Sequence, residues 1–177
     1  MPAPPLSLKA RALHWLAQRE QSRLELRRKL LRLARQRAAV AVAGAAAGSA
    51  PEGDSQSAPD PQAEVDALLD WLQAHRYLSD ARFVESRVNA RSARYGNLRI
   101  RQELSQHGAV LDSETAGRLK DSELARAHAV WLRKYGGTPP SSAAEQARQM
   151  RFLAGRGFSA EAIRRVVRGA RSEDGGG

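Results

Sequence analysis

An elongated all-α array of three three-helix units is the fold this chain predicts, and three observations predict it. The first is a loose recurrence of one segment: Ser22-Arg-Leu-Glu-Leu-Arg-Arg-Lys-Leu30, Gly96-Asn-Leu-Arg-Ile-Arg-Gln-Glu-Leu104 and Glu145-Gln-Ala-Arg-Gln-Met-Arg-Phe-Leu153. The last two are followed four residues on by Gly108 and Gly157. The second is unit size, since blocks of roughly 40 to 50 residues cannot each bury a full apolar face and must stack. The third is composition: aromatic residues are 5% of the 177, so each core is small and built from Leu and Ala. The units are 8–76, 77–120 and 121–170, with a flexible insertion at 38–61 in the first and a disordered tail at 171–177.

In the first unit, Leu8, Leu13, Trp15 and Leu16 form a stripe at helical spacing, and Ser7 stands where a cap belongs. The second helix starts at the capping box Ser22/Glu25 and runs through Leu26, Leu30 and Leu33. Arg23, Arg27, Arg28, Lys29, Arg32, Arg35 and Arg37 fill its other faces with positive charge. From Ala38 the sequence turns to Ala, Gly, Ser, Pro and Asp, which bury too little apolar area to offset ordering entropy. The Ala-rich start can prolong the helix until Gly48 and Pro51 end it, leaving a linker at 49–61. The third helix opens at Pro61, carries Glu64 and Asp66 in its first turn and buries Val65, Leu68, Leu69 and Leu72. Trp15, Trp71 and Trp131 read as packing between helices.

The segment from His75 to Phe83 closes one helix with Tyr77 and Leu78 and opens the next with Ser79 or Asp80 as cap. The second unit continues through Phe83, Val84 and Val88, then a helix on Leu98, Ile100 and Leu104 that stops at Gly108. Arg94, Arg99 and Arg101 bracket Tyr95 at the corner between them. A short helix after Asp112, a separate helix over Leu124, Val130, Trp131 and Leu132, a loop at 136–140, a helix to Leu153 and a last helix from Ser159 through Val167 complete the pattern.

Charge is unevenly distributed. Residues 1–45 hold ten Lys/Arg against two acids, and 46–75 hold none against six. The stretches 76–120 and 121–177 each carry a net +4, within a total of +10. Only Lys9, Lys29, Lys120 and Lys134 are lysine. Arginine makes planar bidentate contacts to carboxylate and phosphate, although a GC-rich coding bias favours it too. The sequence has no cysteine, which excludes disulfides and thiolate metal sites. Its opening residues lack a secretory signal, and its longest apolar run, Ala38 to Ala47, is too short to span a bilayer. No Walker loop, Gly-x-Ser-x-Gly or His-Glu-x-x-His is present, and His14, His75, His107 and His128 are scattered singly. The expectation is a cytoplasmic monomer that is not an enzyme and uses no cofactor or metal.

Four segments, Ala12–Leu30, Tyr77–Phe83, Arg94–Leu104 and Phe152–Phe158, give the chain a resemblance to the RecX family, bacterial regulators of RecA recombinase. The resemblance covers 8–34 and 64–170 in the family's order; the 38–61 insertion departs from it. It implies a tandem helical array lying in the groove of the RecA filament on single-stranded DNA and inhibiting ATPase, strand-exchange and co-protease activities. Arg27, Arg28, Arg32, Arg94, Tyr95, Arg99 and Arg101 are the expected contact residues. The alternative is a module that binds DNA directly, since compact three-helix units resemble helix-turn-helix domains. Such a module lacks here one clear recognition helix, so direct DNA binding is expected to be weak and accessory.

Overall fold

The computed structural model describes residues 6–47 and 60–173, and among these every regular element is a helix. In chain order they are α1 (Leu8–Gln18), α2 (Arg23–Ala47), α3 (Pro61–Ala74), α4 (Asp80–Ser92), α5 (Asn97–Gln106), α6 (Ser113–Tyr135), α7 (Ala143–Gly155) and α8 (Ala160–Glu173). Contacts divide the chain into two compact units, Met1–Phe83 and Val84–Gly177, with the boundary inside α4.

In the first unit, Ser7 caps α1 by accepting the Ala10 N–H at 3.1 Å, and Ser22 accepts that of Glu25 at 3.1 Å at the start of α2. Ala, the strongest helix former, then carries α2 through the Ala-rich stretch as far as Ala47. The expected flexible segment at 38–61 is therefore helical at 38–47, and Asp60 caps α3 with Pro61 in its first turn. Residues 48–59, which hold most of the expected linker, lie outside the described residues. Leu8, Ala12, Leu26, Leu30, Ala34, Val65, Leu69, Leu72 and Leu78 form one core. Fully burying each leucine contributes about 1.5–3 kcal/mol. Trp15 and Trp71 pack at its edge, and Lys9 Nζ lies 3.5 Å from the Trp71 ring centroid. Ser79 accepts the Arg82 N–H at 3.3 Å, capping α4. Asp80 serves a different helix: its Oδ1 accepts the N–H of Arg23 at 2.8 Å, at the first residue of α2.

In the second unit, Ala127, Val130, Trp131, Leu153, Phe158, Ala162, Ile163, Val166 and Val167 form the core of α6, α7 and α8. The Trp131 indole N–H donates to buried Gln149 Oε1 at 2.7 Å, so this tryptophan packs as expected. One expectation is corrected here. The short helix after Asp112 and the separate helix over Leu124 are a single 23-residue helix, α6. Asp121-Ser122-Glu123 looks like a helix start, but the Ser122 hydroxyl donates back to the Arg118 carbonyl at 2.8 Å, and Glu123 is buried. At the expected tail, α8 runs through Glu173, and 174–177 lie outside the described residues.

Three helices close in the same way. After α5 and α7, Gly108 and Gly157 take left-handed φ values of 66° and 82°. The next N–H then turns back to a leucine carbonyl, Ala109 to Leu104 at 3.0 Å and Phe158 to Leu153 at 3.3 Å. After α3, Arg76 occupies that position with φ 60°, and Tyr77 donates to Leu72 at 2.9 Å.

Candidate functional site

The residues expected to make contacts fall into distinct settings. On α2, Arg27 is already engaged: its Nε and Nη2 donate to the two Asp66 carboxylate oxygens at 2.6 and 2.9 Å. Arg23 bonds Asp70 at 2.7 Å and also Gln73. The Arg27 guanidinium holds the Asp66 carboxyl below its ordinary value, and Asp66 raises Arg27 in return. Arg28 and Arg32 are exposed and form no ion pair with another described residue. With exposed Arg35 they stand at i, i+4 and i+7, one stripe along one helix face.

On the second unit, the corner between α4 and α5 is held by Arg126. Its guanidinium donates to the Ser92 carbonyl at 3.1 Å, the Tyr95 carbonyl at 2.7 Å, Asn97 Oδ1 at 2.5 Å and the Leu119 carbonyl at 3.0 Å. Burial lowers the Arg126 pKa and the charge of Glu123 opposes that fall. The half-buried Tyr95 ring, fixed at this corner, has three guanidiniums around it: Arg91, Arg99 and Arg156, at 5.6, 5.5 and 5.6 Å from the ring centroid. Glu103 is shared by two of them, 3.0 Å from Arg91 and 3.8 Å from Arg99. Two cations on one acid, beside a third, leave the cluster net positive.

Of the residues singled out by sequence, the structure therefore joins Tyr95 with Arg99. Arg94 lines a cleft with residues of α6 and α7 that shares Arg156 with this cluster. Arg101 lines another, beside Leu104, Ala109 and exposed Val110. Sequence reasoning passed over Arg91 and Arg156 as neighbours of Tyr95. Gly157 next to Arg156 was a visible signal, since glycine allows a close approach of another segment.

Among the described residues no group of three or more His, Cys, Asp or Glu is placed to hold a metal ion. Nor is any helix among them long and apolar enough to cross a membrane. Fold and surface together define a class: a helical-repeat protein with exposed arginine in both of its compact units. The family model for the second three-helix domain of RecX matches residues 79–109, and that for the third three-helix domain matches 121–167. The chain is 44% identical to the regulatory protein RecX of Ralstonia nicotianae, over 96% of this chain and 92% of that one. It is 45% identical to the regulatory protein RecX of Leptothrix cholodnii, over 93% and 90% of the two chains. Among solved structures, the crystal structure of RecX from Lactobacillus salivarius shares the fold, with a TM-score of 0.63 at 16% identity over 93% of this chain and 95% of that one. The chain belongs to the RecX family.

Proposed function

We propose that this chain binds the RecA recombinase filament on single-stranded DNA, lying in its groove, and inhibits its ATPase, strand-exchange and co-protease activities. It acts in the cytoplasm as a monomer, through three three-helix units at 8–76, 77–120 and 121–170. The observation that carries this reading is exposed arginine in both compact units of a RecX-family chain: Arg28, Arg32 and Arg35 in one, the Tyr95 cluster with Arg101 in the other. A nucleoprotein groove offers acidic side chains and phosphate, and guanidinium forks match both.

The test is inhibition of recombinase ATPase by the Arg99→Glu/Arg101→Glu variant, alongside co-sedimentation with filaments on single-stranded DNA. The half-inhibitory concentration should rise about tenfold, corresponding to roughly 1.4 kcal/mol of lost contact. Unchanged inhibition by a folded double variant removes these two residues from the interface. Direct DNA binding is the competing reading, and equal affinity for bare and recombinase-coated strands would favour it.

A further inference from the structure

Two turns of the second unit are joined main chain to main chain. The Gly96 N–H donates to the Arg156 carbonyl at 2.9 Å, and the Leu98 N–H to the Gly157 carbonyl at 3.0 Å. The junction admits no side chain: a Cβ on Gly96 would lie 2.2 Å from the Gly157 oxygen, and one on Gly157 would lie 2.5 Å from Arg99 Cβ. A single oxygen of buried Glu123 accepts the N–H of Asn97 at 3.0 Å and that of Ser159 at 3.3 Å, tying the starts of α5 and α8 together. The spacing between Arg94 and Arg156, on either side of this junction, is thereby fixed by backbone rather than by flexible side chains.

Those two arginines, with Arg133 and Lys134 from the last turn of α6, line a cleft of about 430 Å³ whose apolar wall is Val130 and Phe152. No acid lines it. None of the four cations forms an ion pair with another described residue, and Arg94, Arg133 and Lys134 are exposed. The C-terminal dipole of α6 accounts for cations at Arg133 and Lys134. It does not account for Arg94 and Arg156, which a separate turn brings to the same cleft. A cleft lined by four cations and no acid carries a positive potential that an anion entering it would neutralise.

We propose that this cleft binds adjacent phosphate groups, carried either by a nucleic-acid backbone or by a free polyphosphate such as a nucleoside triphosphate. Phosphate concentrates several acceptor oxygens in the space of one guanidinium fork, with one charge on each diester or inner phosphate and nearly two on a terminal one. A carboxylate-bearing peptide must instead order one flexible side chain for each charge it delivers. The inference stands apart from the filament reading, because it is tested on this chain alone with no recombinase present.

The experiment is titration calorimetry of the full chain with inorganic tripolyphosphate, paired with fluorescence anisotropy of a labelled single strand of about eight nucleotides. Wild type is compared with Arg133→Gln/Lys134→Gln and with a charge-matched control, Arg164→Gln/Arg165→Gln, on the exposed side of α8. The cleft variant should weaken binding of whichever probe binds by about tenfold or more, and the control by less than about twofold. Tripolyphosphate binding identifies a free phosphate as ligand, and oligonucleotide binding without it identifies the backbone. Circular dichroism checks folding, and Arg94→Gln, an exposed turn residue, gives the same readout should the double variant unfold. Equal weakening by both doubles, no binding of either probe, or tighter binding of an oligoglutamate peptide overturns the proposal.

Discussion

Asp66 and Asp70 reach from α3 to α2 and engage Arg27 and Arg23, so the arginines of α2 do not all remain available to a partner. The charge census made the basic first 45 residues and the acidic stretch after them visible, and so suggested attraction. It could not say which arginine meets which acid, because that depends on how two helices pack. Arg27 is expected at the interface with a partner, and within the fold it pairs with Asp66. Its carboxylate partner gives a pH test. The Asp66 carboxyl is held below its ordinary 3.8 by the Arg27 hydrogen bond. Glu25 is pushed up by burial, but hydrogen bonds from Arg19 and Lys29 bring it below 4.5 overall. Both folded values are depressed, so this stability is fully present above the unfolded values and is lost as pH falls through the folded ones. Asp66→Asn should lower the urea midpoint at pH 7, and the difference from wild type should shrink as the pH drops below 3.8. A constant difference across that range would show that the charge of Asp66 is not what stabilises. Glu123 gives a second test, since truncation leaves two N–H groups without their acceptor. Glu123→Ala should destabilise by about 2–4 kcal/mol in chemical denaturation, and Glu123→Gln, which keeps an acceptor oxygen, by much less.

Helix ends were more legible than helix lengths. Ser7, Ser22, Pro61, Gly108 and Gly157 each mark a boundary by local chemistry that acts within a few residues, and the structure places boundaries at all of them. The continuity of α6 was hidden because Asp121-Ser122-Glu123 carries helix-start signals, and Glu123 is drawn inward by two backbone N–H groups distant in sequence. The Gly96–Gly157 junction was equally hidden, since nothing in either local sequence names the other. Glycine substitutions separate these roles. Gly157→Ala combines a φ of 82° with a Cβ clash against Arg99, so it should destabilise by about 2 kcal/mol or more. Gly117 lies within α6 with nothing near its missing Cβ, and Gly117→Ala should stabilise by about 0.5–1 kcal/mol. Arg76 holds the left-handed position that glycine holds after α5 and α7. Arg76→Gly relieves that strain while loosening the unfolded chain, for a net gain of about 0.5 kcal/mol. Thermal denaturation of the three variants should rank Gly117→Ala and Arg76→Gly above wild type and Gly157→Ala below it.

Across the whole molecule, exposed arginine is carried by both compact units: the α2 stripe lies in Met1–Phe83, and the Tyr95 cluster with Arg101 lies in Val84–Gly177. The repeat pattern and the family resemblance made this legible in outline, since they placed basic helices in successive modules. A binder that uses both surfaces on one polymer gains from each contact separately, and contributions from independent sites add in free energy. Arg28→Gln/Arg32→Gln and Arg99→Gln/Arg101→Gln should therefore each raise the half-inhibitory concentration against recombinase ATPase, by about three- to tenfold. The quadruple variant should raise it by roughly the product of the two factors. The same contacts are between exposed charges, so the wild-type concentration should rise with salt, and the quadruple variant should show a shallower dependence because fewer screened pairs remain. A quadruple variant no worse than the weaker double, with the salt dependence unchanged, would mean that the proposed filament contact is made by one unit alone.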